Sequence, residues 1–206
     1  MKVPHVLYDS LYVKAQSPLP PYFYFFAKNI GMPVNSLWYS DGWGDVQVGP
    51  DETNLQRCSQ LPEPETFAIR RAFLCVDDTR EPEPAWADCE YDIRIGRRSC
   101  RTGCLQSLDW IRDSPLGLFQ NSCANPGSLN PDVTPNMFPG GLDTWEEDQI
   151  VPPGMYFSVE VKGTKAKVLV NTKIWFCLYG LWDGPTDSGS LQKIANPVSI
   201  NAQRVQ

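Results

Sequence analysis

Cys89, Cys100, Cys104 and Cys123 are the residues of this chain best suited by type to hold a metal, because thiolates prefer zinc and four of them complete its tetrahedron. Their spacing fits poorly. Structural zinc sites use close pairs about two to four residues apart, and only Cys100 and Cys104 make such a pair. A disulfide and buried thiols packed as small hydrophobes are the competing readings, and buried thiols are expected. Carboxylates gather at Asp77, Asp78, Glu81, Glu83, Asp88, Glu90 and Asp92. Two of them across a cleft have the chemistry of glycoside hydrolysis, and several together that of calcium binding. No loop carries EF-hand spacing, and acids beside Pro82 and Pro84 are expected to form a solvated connection. His5 is the only histidine, which excludes two-histidine metal sites and leaves little for histidine acid–base catalysis. There is no Gly-x-Ser-x-Gly and no phosphate-cradling glycine loop. No catalytic residue and no cofactor are therefore expected, with zinc at the cysteine set as the metal alternative.

Two further groups have binding chemistry. Trp38, Tyr39 and Trp43, set among glycines, form either a sugar-stacking platform or part of a sandwich core. Arg94, Arg97, Arg98 and Arg101 either contact phosphate or make a solvated edge. The rest of the chain argues against polyanions: 18 Lys and Arg against 24 Asp and Glu give a net charge of -6, and the pI is near 4.8. Direct binding to nucleic acid and insertion into membranes are not expected. The N-terminal residues lack the apolar core of a signal peptide and the longest apolar run, Tyr22 to Ala27, is too short to span a bilayer, so synthesis in a cytoplasm is expected. Seven cysteines, an odd number, fit reduced thiols better than a closed disulfide framework.

The elements that would position these residues are short. With 19 prolines and 15 glycines in 206 residues, the composition suits strands joined by turns. Residues 1–21 have no clean period and end in Pro18-Leu19-Pro20-Pro21, which predicts an N-terminal arm laid on another surface. Residues 22–182 form the predicted domain. Strands are expected at 66–76, 91–95, 157–162, 165–170 and 172–182, and one short helix at 103–113 with Cys104, Leu105, Leu108 and Ile111 on one side. The strand 172–182 is apolar on both faces, with Ile174, Phe176 and Leu178 opposite Trp175, Cys177 and Tyr179, which places it inside a sandwich or against a neighbouring subunit. Residues 114–153 are a Pro-rich excursion with seven prolines, and 183–206 a polar tail without aromatics. The predicted fold is all-β, an antiparallel β-sandwich with jelly-roll topology, one short helix and extended terminal arms.

Two segments carry a family likeness. Thr53-Asn54-Leu55, then Gln60-Leu61-Pro62 and the strand Phe67-Ala68-Ile69-Arg70, resembles a pattern in small structural proteins of bacteriophages. Ile150-Val151-Pro152-Pro153-Gly154 leading into Phe157-Ser158-Val159-Glu160-Val161 is similar to the step that opens a late strand in such proteins. The resemblance implies a jelly-roll capsid or capsid-associated subunit of the virion, without enzymatic activity. Its expected partners are copies of itself and other virion proteins, met through the termini and the Pro-rich excursion, with Tyr8, Tyr12, Tyr22, Trp175 and Tyr179 as candidate interface residues. Two other function classes remain open: an extracellular carbohydrate-binding or adhesion sandwich, and a carboxylate-dependent glycan hydrolase.

Overall fold

The computed structural model describes residues 2–13, 15–16, 18–28, 30, 49, 52–76, 84–112, 145–163 and 166–184. Its elements are β1 (Lys2–Val13), β2 (Tyr22–Phe25), β3 (Thr66–Val76), the single-turn helix α1 (Pro84–Ala87), β4 (Glu90–Ile95), β5 (Arg98–Cys104), a 3-10 turn (Leu105–Ser107), β6 (Asp109–Arg112), β7 (Gln149–Val151), β8 (Phe157–Lys162) and β9 (Thr172–Asp183). They build a β-sandwich. The larger, five-stranded sheet runs β1-β9-β3-β6, with β7 also on β3, and the smaller, four-stranded sheet runs β2-β8-β4-β5. Every pairing is antiparallel except β3 with β6. Four of the six antiparallel pairings nest, first strand with last, β2 with β8, β3 with β7 and β4 with β5, and the other two, β3 with β9 and β4 with β8, join them into the two sheets.

Alternation in the sequence sets the interior. Phe23 and Phe25 of β2, Tyr91 and Ile93 of β4, and Phe157, Val159 and Val161 of β8 face Leu7, Leu11, Val13, Ile69, Leu74, Ile174, Phe176 and Leu178 of the larger sheet, all buried in one cluster. Phe176 lies at the centre, its ring 5.4 Å from that of Phe25 and 5.8 Å from that of Tyr91. Trp86 of α1 closes one side, edge-on to Phe23 at 6.1 Å.

The structure corrects three expectations. Residues 2–13 are not an arm but a full strand, running along β9 from Lys2 opposite Asp183 to Val13 opposite Thr172. No period shows in its sequence because Val6, Tyr8, Leu7 and Leu11 are buried alternately on two covered faces. The helix expected at 103–113 is the end of β5, the 3-10 turn and β6. Leu105 and Leu108, three apart and both buried, satisfy a single 3-10 turn as well as an α-helix. Gly103 belongs to β5, where a Cβ would meet the ring of Tyr91 at 3.1 Å. The strand expected at 165–170 shrinks to one bridge between Lys167 and Pro18, since the prolines of 18–21 lack the amide donors a ladder needs. The Pro-rich excursion and the polar tail fall outside the described residues, except for 145–153 and 183–184.

Two local devices hold the larger sheet. A bulge between Ile69 and Arg71 leaves Arg70 unpaired with β9; its carbonyl accepts the Trp145 amide (2.8 Å) and its guanidinium meets Asp148 (3.1 Å), so the bulge receives the chain returning toward β7. The open edge of β1 is covered by the Thr53-Asn54-Leu55 segment. The Asn54 side chain accepts from the Tyr8 amide (2.9 Å) and donates to the Val6 carbonyl (2.7 Å), while the Thr53 hydroxyl donates to the Tyr8 carbonyl (3.0 Å). One side chain thus stands in for a neighbouring strand. Beneath it Asp9, on the inward side of β1, accepts the amide of Phe26, a residue held at φ +65° where β2 ends. Burial pushes the Asp9 carboxyl up to about 7, opposed by the hydrogen bonds from Phe26 and Thr53. His5, whose Nε2 faces the Asn54 amide nitrogen at 3.5 Å, is pushed down to about 4 by burial.

Candidate functional surfaces

On the larger sheet the face turned away from the sandwich core is apolar too. Val6 and Tyr8 of β1, Phe73 and Cys75 of β3, and Trp175 and Cys177 of β9 form a second buried cluster, with Tyr179 packed partly against it. Tyr8 and Trp175 are only 4% and 3% exposed. Burial fits the alternative reading of these two interface candidates as core side chains; Tyr12 and Tyr179 are half-buried. The doubly apolar pattern of β9 is satisfied within one copy. Lys173 borders the cluster, its ammonium 4.8 Å from the centre of the Trp175 ring and 3.0 Å from Glu52. The Cys75 and Cys177 sulfurs lie 3.7 Å apart, and burial together with its neighbour pushes the Cys177 thiol well up.

The outer face of the smaller sheet has the opposite character. Strand register sets its side chains in rows: Tyr22, Lys162, Glu90 and Cys104 across one, then Tyr24, Glu160, Asp92 and Thr102 across the next. Tyr22 is 54% exposed and Tyr24 50%. Lys162 pairs with Glu90 at 3.2 Å. Arg94 bridges two carboxylates, 2.7 Å from Asp92 and 3.2 Å from Glu160, and Ser99 donates to Asp92 at 2.6 Å. A groove of about 400 Å³ runs over the first row and over Glu160, Asp92 and Thr102 of the second, lined also by Tyr91 and Gly103, with Tyr24 beside it rather than in its lining. Of the five expected interface residues, Tyr22 is the one that is exposed. Tyr24 went unnoticed in the sequence, although the run Tyr-Phe-Tyr-Phe already alternates a ring with a hydroxyl against a ring without one.

The remaining candidates are dispersed. Cys89 is buried with its thiol 3.2 Å from the Ala85 carbonyl, whereas Cys104 is exposed and Cys100 half-buried. Among the described residues no three His, Cys, Asp or Glu side chains converge in a way that could hold a metal, and Cys123 lies outside them. The described cysteines are all unbridged thiols. Of the acidic group, Asp88 is exposed, Glu90 and Asp92 are in the ion pairs above, and Asp77, Asp78, Glu81 and Glu83 lie outside the described residues, as do Trp38, Tyr39 and Trp43. The arginine cluster divides. Arg94 is the bridge on the sheet face, Arg101 stacks 5.2 Å over the Trp145 ring, and Arg97 and Arg98 are exposed at the β4–β5 turn. No helix among the described residues is long and apolar enough to cross a membrane. Comparison with family models, with curated proteins and with solved structures gives no match for this chain.

Proposed function

We propose that this chain is a jelly-roll structural subunit of a virus particle, a capsid or capsid-associated protein that acts by binding copies of itself and other shell proteins. The observation that carries this reading is the nesting of four antiparallel pairs, joined into two sheets by β3 with β9 and β4 with β8. A long hairpin rolled on itself produces that order, and such jelly rolls serve as capsid and lectin domains. The segment likenesses to phage structural proteins add support, because both have structural work here: Thr53-Asn54-Leu55 closes the β1 edge, and Ile150 to Gly154 turns β7 into β8. The second of them presents apolar surface. Ile150, Met155 and Tyr156 are 61%, 42% and 50% exposed, and the Tyr156 carbonyl accepts the Gly96 amide at 2.6 Å, joining this connection to the β4–β5 turn. That end of the sandwich is the contact surface we assign to assembly.

Light scattering coupled to size exclusion tests the reading. A symmetric oligomer is expected, converted to smaller species by Met155→Glu with Tyr156→Glu. A monomer at every concentration up to the solubility limit overturns it.

A further inference from the structure

We infer that the outer face of the smaller sheet binds a neutral glycan, with sugar rings stacked on Tyr22 and Tyr24 and sugar hydroxyls bonded to the carboxylates of the adjoining rows. The site is separate from the assembly surface at Met155 and Tyr156, and it exists whether or not the chain self-associates.

The two tyrosines are the first reason. Phe23 and Phe25, between and beside them, are 5% and 0% exposed, so β2 buries one pair of rings and offers the other pair to solvent. Side chains two apart on a strand project from the same face about 7 Å apart, close enough for consecutive units of one oligosaccharide. The electron-rich face of an aromatic ring attracts the weakly positive C–H face of a pyranose, and a tyrosine adds a hydroxyl at its rim.

Charge supplies the second reason. Glu90 is offset by Lys162, and Asp92 and Glu160 share Arg94. A polyanion would meet three carboxylates here, and a cation would compete with an ammonium and a guanidinium already in place. An uncharged, hydroxyl-rich ligand meets neither obstacle. An ionised carboxylate offers about four lone-pair positions, and the ion pairs and Ser99 occupy only part of that capacity. Thr102 adds a hydroxyl that both donates and accepts.

The third reason is shape. The groove of about 400 Å³, lined by Tyr22 and flanked by Tyr24 opposite Glu160, lies at the small end of the range of ligand clefts. Protein–protein interfaces exclude Lys, Glu and Asp from their centres, whereas here these residues occupy the centre and the aromatics the border. Catalytic cleavage of the glycan is not part of the inference. Asp92 and Glu160 face each other directly across β4 and β8 and are joined by one guanidinium, which leaves no gap for a scissile bond between them.

The test is titration of the full chain, followed by two-dimensional NMR and calorimetry, with hexasaccharides of glucose (both linkage types), mannose, galactose and N-acetylglucosamine, and with a sialylated oligosaccharide as the anionic comparison. At least one neutral hexasaccharide should bind, shifting resonances of residues 22–24, 90–92 and 160–162. Tyr22→Ala and Tyr24→Ala should each weaken it about tenfold, while Tyr22→Phe keeps most of the affinity because stacking needs the ring. Oligomeric state should be the same in all three variants. No neutral ligand bound, tighter binding of the sialylated one, binding indifferent to both alanine variants, or tyrosine variants that change only the oligomeric state would each overturn the inference. Both tyrosines are half exposed, so their truncation leaves the fold intact, and unchanged thermal midpoints check that.

Discussion

The two sheets of this sandwich treat their outward faces in opposite ways. On the larger sheet Tyr8, Phe73, Cys75, Trp175 and Cys177 are buried, so β9 is enclosed from both sides. On the smaller sheet the outward positions hold a ladder of compensated charges bordered by exposed tyrosines. The same backbone geometry underlies both, and the side chains turned outward differ, apolar and buried on one sheet, charged and exposed on the other. Burial of large aromatics on the first makes that face a store of stability. On the second, ion pairs in water add little to stability, which leaves the residues there available for recognition.

This contrast is most sharply tested by truncating one ring on each face. Trp175→Ala is expected to cost about 3–5 kcal/mol through lost burial and a residual cavity, and Tyr24→Ala to stay within about 0.5 kcal/mol, both measured by urea denaturation. Equal costs would erase the distinction between the faces.

The second prediction concerns pH and sharpens the same division, because the strongly displaced groups belong to the larger sheet. Asp9 is raised by burial from 3.8 to about 7. The unfolded chain therefore releases this proton first, and stability falls as pH rises from about 4 to 7, by an amount on the order of 4 kcal/mol. His5 is lowered from 6.5 to about 4. The unfolded chain takes up that proton first, so stability falls as pH drops over nearly the same interval, by about 3 kcal/mol. The opposed slopes should leave the wild-type chain nearly flat between about pH 4 and 6.5. Asp9→Asn should then lose stability toward acid, and His5→Gln toward neutral pH. Parallel profiles for the two variants would refute the assignment.

At the small end, a double-mutant cycle on Glu90 and Lys162, both well exposed, should give a coupling below about 1 kcal/mol that moderate salt removes. A larger, salt-resistant coupling would move the smaller sheet's face into the structural category.

Much of this division was legible in the sequence. Phe157 to Lys162 alternates cleanly and is β8; the doubly apolar run is β9, enclosed on both sides. Those signals are local. β1 was not legible because a strand covered on both faces loses its period, and the stretch after Gly103 misled because buried leucines three apart fit two kinds of turn. The pairing of Asp92 with Glu160 and the approach of Cys75 to Cys177 depend on strand register between distant segments, which no window along the chain contains. Tyr22 is legible as a candidate interface residue, but its ladder of neighbours comes from three other strands.

The Asn54 side chain on β1 bears on how such a protein avoids the wrong kind of growth. A bare strand edge is a template that recruits any extended peptide, its own copies first, and repeats without end. With the Val6 carbonyl and the Tyr8 amide already engaged, backbone-to-backbone polymerisation from that side lacks its starting point. What that stretch still presents is side-chain surface, which reads shape and geometry and can close on itself. On the proposed reading of a shell subunit, that restriction matters as much as an adhesive surface, because a particle must stop at a finite size.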